Sequence, residues 1–233
     1  MSLLSELANT QWAGDQSLRE KVLQQIRFEV VSGKAAPGTV LSVPGVAKQL
    51  GISTTPVREA LLELSSDGLL EPLRTRGFRV MASSLQDLKN LFALREQLEM
   101  YALMTVAKTG LKDEEVLEGM ADAVAQAVQE GNVHEYLLTD RAFHHALVIQ
   151  AGNRLLTDMV MKLRDNMRLY GIDSQEGLVR QHSSVQEHYQ LIQLLSERRQ
   201  DEVATLICVH IRDWEPVFSA AIIEAATQAV VTA

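Results

Sequence analysis

Residues 37–80 read PGTVLSVPGVAKQLGISTTPVREALLELSSDGLLEPLRTRGFRV, and this stretch decides the fold of the N-terminal part of the chain. A short helix is predicted over Pro44–Leu50. Gly51 follows it, where a residue that adopts positive φ ends a helix at little cost. Ser53 or Thr54 can then cap a second helix. Two short helices joined by a tight turn are typical of a helix-turn-helix.

The second predicted helix has a buried side and an exposed polar end. Its apolar residues recur at helical spacing and should pack inward; they are Val57, Ala60, Leu61 and Leu64. The N-terminal end of a recognition helix is the part that enters the major groove of DNA. The candidate DNA-contacting residues on this helix are therefore Ser53, Thr54, Thr55 and Arg58.

A basic hairpin follows, with two short strands predicted on either side of the turn at residues 74–77. Arg74, Arg76 and Arg79 fall within six residues, with no acid between them. Gly77 lets the backbone come close to phosphates, and the arginines neutralise them. We therefore expect a winged helix-turn-helix in which Arg74, Arg76 and Gly77 contact DNA. The alternative is a helical domain with a solvated basic hairpin.

The composition is that of a globular protein whose charge is unevenly distributed. The chain has 233 residues and a net charge of −8, of which residues 1–80 contribute +1 and the remainder −9. The local basic cluster can still bind DNA, because the local field matters more than the net charge. One cysteine, Cys208, excludes an intramolecular disulfide and fits a reducing compartment. We expect a cytoplasmic protein without a membrane span.

After the hairpin the sequence shows helical periodicity and no strand-like alternation. Ser84 can cap a helix that begins at Leu85, and the predicted apolar stripe of that helix is Leu88, Leu91, Leu94, Leu98 and Ala102. Further helices are predicted at about 113–130, 133–151, 153–170, 175–199 and 201–230. The expected fold is mainly α, with an N-terminal winged helix-turn-helix and a C-terminal all-α antiparallel bundle. The expected divisions are a flexible arm at 1–14, a DNA-binding domain at 15–82 and a helical domain at 83–233.

Four residues of the predicted bundle have the chemistry of metal ligands. Asp140 and His144 are four residues apart, so they project from one face of a helix. His188 and His210 lie about eleven residues before and ten residues after the last predicted interhelical turn, so the folded hairpin brings them to one level. One carboxylate and three imidazoles suit Zn²⁺, Ni²⁺ or Mn²⁺. The other histidines differ in helical phase and are expected to be surface or hydrogen-bonded residues; they are His134, His145 and His182.

The N-terminal pattern resembles the GntR family of bacterial transcription regulators. The resemblance covers residues 18–80 and rests on the PGT and LGIS segments, the TPVREAL core of the second helix, the DGLL turn and the RGFRV wing. In that family the positions that match Ser53, Thr55 and Arg58 contact DNA, and the wing glycine matches Gly77. One wing and one recognition helix make few base contacts, so we expect a homodimer that binds a short inverted repeat in double-stranded DNA. The resemblance implies a bacterial protein that is on the nucleoid when it is bound to DNA.

Residues 85–222 are similar to the FCD ligand-binding domain of the FadR subfamily. The Asp-x-x-x-His motif of that domain matches Asp140 and His144, and its two later histidines match His188 and His210. The resemblance implies a regulator without catalysis, a divalent metal (zinc first, nickel or manganese as alternatives) and a small carboxylate effector.

An arginine should complete recognition of that carboxylate, because guanidinium groups bind carboxylates bidentately. Arg95 is the first candidate and Arg168 the second, and for each the alternative is an ordinary salt bridge. Two other functions remain open as alternatives to an effector-controlled regulator. The first is a metal-sensing regulator, and the second is a helical metal-dependent hydrolase that uses bound hydroxide.

Overall fold

The computed structural model describes residues 17–74 and 76–231, and the chain divides into two compact units between Ser83 and Ser84. The predicted arm at residues 1–14 and Thr75 of the predicted wing lie outside the described residues. Helices dominate the secondary structure of the described chain, which confirms the mainly α fold class.

The first unit combines helices with one small sheet. Its elements are α1 (Leu18–Val31), β1 (Val40–Leu41), α2 (Val43–Leu50), α3 (Thr54–Ser66), β2 (Leu70–Leu73) and β3 (Gly77–Val80). The strands are antiparallel in the order β1-β3-β2. Helix α1 packs against α3, and α3 packs against α2. This arrangement is a winged helix-turn-helix.

Local chemistry explains the turn between α2 and α3. Gly51 has φ 67°, the left-handed conformation that ends α2, as the sequence predicts. Ser53 occupies the N-cap position of α3, but its side chain makes no capping hydrogen bond. The four apolar residues predicted to face inward are fully buried; they are Val57, Ala60, Leu61 and Leu64.

Gly77 is required by the geometry of the wing. Its φ is 109°, and a Cβ atom at this position would lie 2.3 Å from the carbonyl oxygen of Leu41. Strand β3 pairs with both neighbours, and Phe78 lies opposite Leu41 on one side and Pro72 on the other. A side chain at Gly77 would therefore force β1 away from β3.

The second unit contains helices and no strand among its described residues. Its helices are α4 (Leu85–Thr109), α5 (Glu114–Gln129), α6 (Val133–Val148), α7 (Arg154–Asn166), α8 (Gln175–Ser196), α9 (Gln200–Arg212) and α10 (Glu215–Val231), with a short 3₁₀ turn at Ile149–Ala151 after α6. Helix α4 packs against α9, α5 packs against α6 and α8, and α8 packs against α9. In the part of the chain that is described, every helix is too short or too polar to cross a membrane.

The helix boundaries confirm some expectations and correct others. Ser84 caps α4 in a reciprocal capping box with Asp87. The single helix predicted at 201–230 is wrong, because the chain breaks between α9 and α10. Pro216 lies in the first turn of α10, where its missing N–H is tolerated, and it cannot continue α9. The helix predicted at 153–170 ends at Asn166.

The predicted apolar stripe of α4 is also wrong in part. Leu94 is 55% exposed, whereas Phe92 is fully buried. Arg95 and Glu99 occupy the buried face instead, with exposed fractions of 3% and 0%. They form an ion pair of 2.7 Å, which allows two charged side chains to replace apolar ones in the interior.

Candidate metal centre and nucleic-acid interface

Three imidazole rings from three helices meet inside the second unit. His144 on α6, His188 on α8 and His210 on α9 are each at most 2% exposed. The Nε2 atom of His144 lies 3.3 Å from Nε2 of His188 and 3.1 Å from Nε2 of His210. The rings therefore direct the same nitrogen toward one another, and together they form a group able to hold a metal ion.

Asp140 adds a carboxylate to this cluster. It lies one turn before His144 on α6, and its Oδ1 atom is 3.4 Å from Nε2 of His188 and 3.7 Å from Nε2 of His144. Its other oxygen, Oδ2, accepts a hydrogen bond of 2.7 Å from Nη2 of Arg164. The structure thus brings together the four residues that the sequence singles out.

The distances between these atoms fit a coordination sphere. Zinc binds imidazole nitrogen at about 2.0–2.1 Å, which places donors of a tetrahedral site about 3.3 Å apart. Hydrogen bonds between the rings cannot satisfy all of these contacts. Nε2 of His144 has a single position for a proton or a lone pair, and it faces a nitrogen on both His188 and His210. A cation would accept all three lone pairs at once.

The protonation states of these side chains also suit a metal. Burial lowers the pKa of His144 well below its usual value and lowers the pKa of His210 to about 4. Both rings are therefore neutral at pH 7, the form that binds metals. Burial alone would raise the pKa of Asp140, but His144, His188 and Arg164 outweigh it and hold that pKa well below its usual range. Asp140 is therefore ionised.

A partly buried carboxylate orients His210. Nδ1 of His210 lies 2.6 Å from Oε2 of Glu187 and donates a hydrogen bond to this carboxylate oxygen. The lone pair of Nε2 is therefore directed at the cluster. Arg180 holds the same carboxylate oxygen at 2.7 Å. Such carboxylate partners fix the tautomer and raise the basicity of metal-binding histidines.

A second carboxylate links α4 and α7 to the cluster. Glu99 lies 4.0 Å from Nδ1 of His144 through its Oε2 atom. Nη1 of Arg164 donates to that oxygen at 2.9 Å, and Nε of Arg95 donates to Oε1 at 2.7 Å. Arg164 therefore bridges Glu99 and Asp140, and Arg95 supplies a second cation to Glu99.

The two arginines expected to bind an effector lie in different surroundings. Arg95 is committed to Glu99, and its Nη1 atom also contacts the sulfur of Met167 at 3.1 Å. Arg168 is buried in the segment after α7, beside Tyr170. Sequence reasoning missed Arg164 and Arg180.

Sequence signals for these two arginines did exist. Arg164 lies four residues after the buried Val160 on α7, so it follows an apolar face. Arg180 lies eight residues before His188 on α8, in phase with it. A charged residue in phase with a buried or metal-binding position predicts an interior role.

The residues expected to contact DNA lie on the surface of the first unit. Ser53, Thr54, Thr55 and Arg58 are exposed at the N-terminal end of α3, and Arg74 and Arg76 are exposed in the turn between β2 and β3. Arg79 differs from them, because its Nη1 atom pairs with Glu71 on the neighbouring strand at 3.3 Å. Among the described residues, Arg74 and Arg76 make no ion pair, so both remain available for phosphates.

Two family models match this chain. Residues 18–80 match the model of bacterial regulatory proteins of the gntR family, and residues 90–213 match the FCD domain. The chain is a GntR-family protein with an FCD domain. It is therefore a DNA-binding transcription regulator.

Curated relatives of this GntR-family protein are regulators of the same kind. It is 29% identical over 185 residues to the Nta operon transcriptional regulator of Aminobacter aminovorans, covering 78% of this chain and 85% of the relative. It is 28% identical over 148 residues to the transcriptional regulator McbR of Escherichia coli, covering 63% and 67% of the two chains. The solved structure of E. coli McbR/YncC has the same fold, with a TM-score of 0.74 at 22% identity over 85% of this chain and 95% of that one.

Proposed function

We propose that this GntR-family protein belongs to the FadR subfamily and that a small organic acid controls its affinity for operator DNA. The acid binds at a divalent metal in the helical domain, residues 83–233, and residues 15–82 bind the operator. The observation that carries the proposal is the mutual approach of three histidine Nε2 atoms at 3.1–3.3 Å, beside an ionised carboxylate.

Asp140, His144, His188 and His210 would hold the metal. Three imidazoles and one carboxylate suit zinc, and nickel or manganese can use the same donors. With these four donors, an ion of coordination number five or six would keep one or two positions open for carboxylate oxygens of the effector. The protein residues orient the donors: Glu187 sets the tautomer of His210, and Arg164 fixes Asp140 through its second oxygen.

On DNA, Arg58 would read a base edge in the major groove while Arg74, Arg76 and Gly77 follow the backbone. One helix and one wing make few base contacts, so two copies are needed, and their two-fold symmetry matches a short inverted repeat. The protein then acts in the bacterial cytoplasm, on the nucleoid when it is bound to its operator.

An exposed apolar face in the second unit supports a homodimer. Leu94 and Tyr101 on α4 are 55% and 61% exposed, and Leu155 and Met159 on α7 are 70% and 50% exposed. The two helices pack together through Leu98 and the buried cluster around α7. Large apolar side chains exposed on neighbouring helices are typical of an association surface.

Two alternatives use the same cluster. A metal sensor would bind the ion weakly and reversibly, with the ion itself as the signal. A hydrolase would need a free base beside bound hydroxide, but the two carboxylates next to the histidines, Glu99 and Glu187, are both held by arginines. The geometry therefore supports effector recognition better than hydrolysis.

The proposal is tested by operator binding. The native operator would be located by footprinting, and fluorescence anisotropy would measure its affinity for metal-loaded and chelator-treated protein in the presence of a panel of organic acids. At least one acid should change the affinity by about 5- to 150-fold, and only for the metal-loaded protein. An acid response that is identical without metal would overturn the proposal, and a response to metal alone would favour the sensor.

A further inference from the structure

Arg180 is a buried cation with unused hydrogen-bond donors. It is 7% exposed, and its Nη2 atom donates to Oε2 of Glu187 at 2.7 Å and to the carbonyl oxygen of His210 at 2.8 Å. Its guanidinium lies over the ring of Trp214, 5.5 Å from the centroid. Nε and Nη1 have no hydrogen-bond partner among the described residues. Buried donors without acceptors are costly, so these N–H groups point to an anionic acceptor from outside the chain.

Arg180 lies on the same face of α8 as the metal-binding histidine. Arg180, Ser184 and His188 follow one another at intervals of four residues, and all three are buried. Tyr136 on α6 is also buried, with its phenol beside Ser184 and within electrostatic reach of both Asp140 and Arg180. Ser184 and Tyr136 therefore place polar groups in the region between the metal cluster and the guanidinium.

The charges around the cluster set the charge of the effector. Six ionisable side chains are linked to the histidines by the contacts above, and they balance as three cations and three anions; they are Arg95, Arg164, Arg180, Glu99, Asp140 and Glu187. A divalent ion bound by the three imidazoles adds two positive charges to this interior. Buried charge is stable only when it is compensated. A monocarboxylate supplies one negative charge, and a dianion supplies both.

We infer that the effector is a short organic dianion, with one anionic group at the metal and the other on Nε and Nη1 of Arg180. This inference rests on the proposed function, because it needs the metal site. Arg180 is then the residue that separates dicarboxylates from monocarboxylates of the same length. One carboxylate oxygen of Glu187 joins Nη2 of Arg180, at 2.7 Å, to Nδ1 of the metal-binding His210, at 2.6 Å. The guanidinium therefore lies close to the cluster, which favours a short ligand between the two anchors.

The experiment compares succinate with butyrate, which have the same number of carbons and differ in charge. Isothermal titration calorimetry on zinc-loaded full-length protein should give at least tenfold tighter binding of succinate. In Arg180→Gln, titrated at a zinc concentration that saturates the site, the two acids should bind within twofold of each other. The zinc content is measured alongside, because Arg180 also holds the Glu187 carboxylate that orients His210. Arg154→Gln is the matched control, because Arg154 is exposed on α7 and its one ion pair within the described part of the chain is with Asp158; it should keep the wild-type preference.

The results separate the two levels of the account. If the wild type contains zinc but binds succinate and butyrate with equal affinity, this inference is wrong and the metal site is unaffected. A preference for succinate that survives in Arg180→Gln overturns the role of Arg180. Absence of bound zinc in the wild type overturns both the inference and the proposed function. If Arg180→Gln does not fold, Arg180→Lys replaces it, and its succinate preference should fall at least threefold.

Discussion

Replacing Arg164 with methionine should destabilise the metal-free protein far more than the zinc-loaded protein. Arg164 is nearly buried and donates to Glu99 at 2.9 Å and to Asp140 at 2.7 Å. Without it, Glu99 keeps its contact with Arg95, but Asp140 loses its arginine. Breaking a buried ion pair by removing one partner costs about 3–5 kcal/mol of unfolding free energy.

Zinc changes this cost if Asp140 is a ligand. The ion supplies a cation to the Asp140 carboxylate, so the buried charge that Arg164→Met leaves behind is compensated. The loss in the zinc-loaded protein should then be smaller by about 2 kcal/mol or more. Urea denaturation with linear extrapolation measures both losses, once with a chelator and once with zinc.

Arg141→Met provides the matched control for this experiment. Arg141 lies on the same helix as Asp140 and makes a two-contact ion pair with Asp165 at 2.6 and 2.9 Å, but its side chain is 38% exposed. Its loss should cost about 0–1 kcal/mol, with or without zinc. If Arg164→Met destabilises both forms equally, the ion does not bind next to Asp140 and the reasoning is wrong.

Three further predictions concern DNA binding, assembly and pH. Arg58→Ala should weaken specific operator binding by about 1–3 kcal/mol if this guanidinium reads a guanine edge. Arg74→Ala or Arg76→Ala should weaken binding to all sequences and reduce the slope of log affinity against log salt by about 1. Anisotropy titrations at several salt concentrations distinguish the two effects. Leu155→Glu should weaken dimerisation at least tenfold in sedimentation equilibrium, because it places a charge on the exposed apolar face, and an unchanged dimer would exclude that face as the interface. The unfolding free energy of the metal-free protein should fall as the pH drops from 6.5 toward 4. His210 has a folded pKa of about 4, so in that pH range it takes up a proton only when the chain unfolds. If urea titrations at pH 7 and pH 4.5 give the same unfolding free energy, the His210 imidazole is not neutral in the folded protein.

The helix-turn-helix is predictable from sequence because its determinants are local. Gly51 ends one helix through its own backbone conformation, and Ser84 starts another through a capping box with Asp87 three residues later. Such interactions involve neighbours in the chain, so the sequence contains both partners side by side. The approach of His188 and His210 is predictable for a similar reason, because both lie at comparable distances from one interhelical turn.

Two of the interior arginine contacts are harder to predict because their partners lie far apart in sequence. Arg164 meets Glu99 across 65 residues, and Arg180 meets the carbonyl of His210 across 30. Hydrophobic periodicity treats every charged residue as exposed, so it shifts the predicted stripe of α4 away from Arg95 and onto Leu94. The break before α10 is a different case, since Pro216 marks it in the sequence.

The most direct test of the metal centre is elemental analysis of the purified protein. Wild type and His145→Ala should contain one divalent ion per chain after dialysis, since His145 lies next to the cluster in sequence but outside the group of three histidines. The double variant His188→Ala, His210→Ala should contain almost none, because it loses two of the four donors. Full metal retention in the double variant would contradict the account.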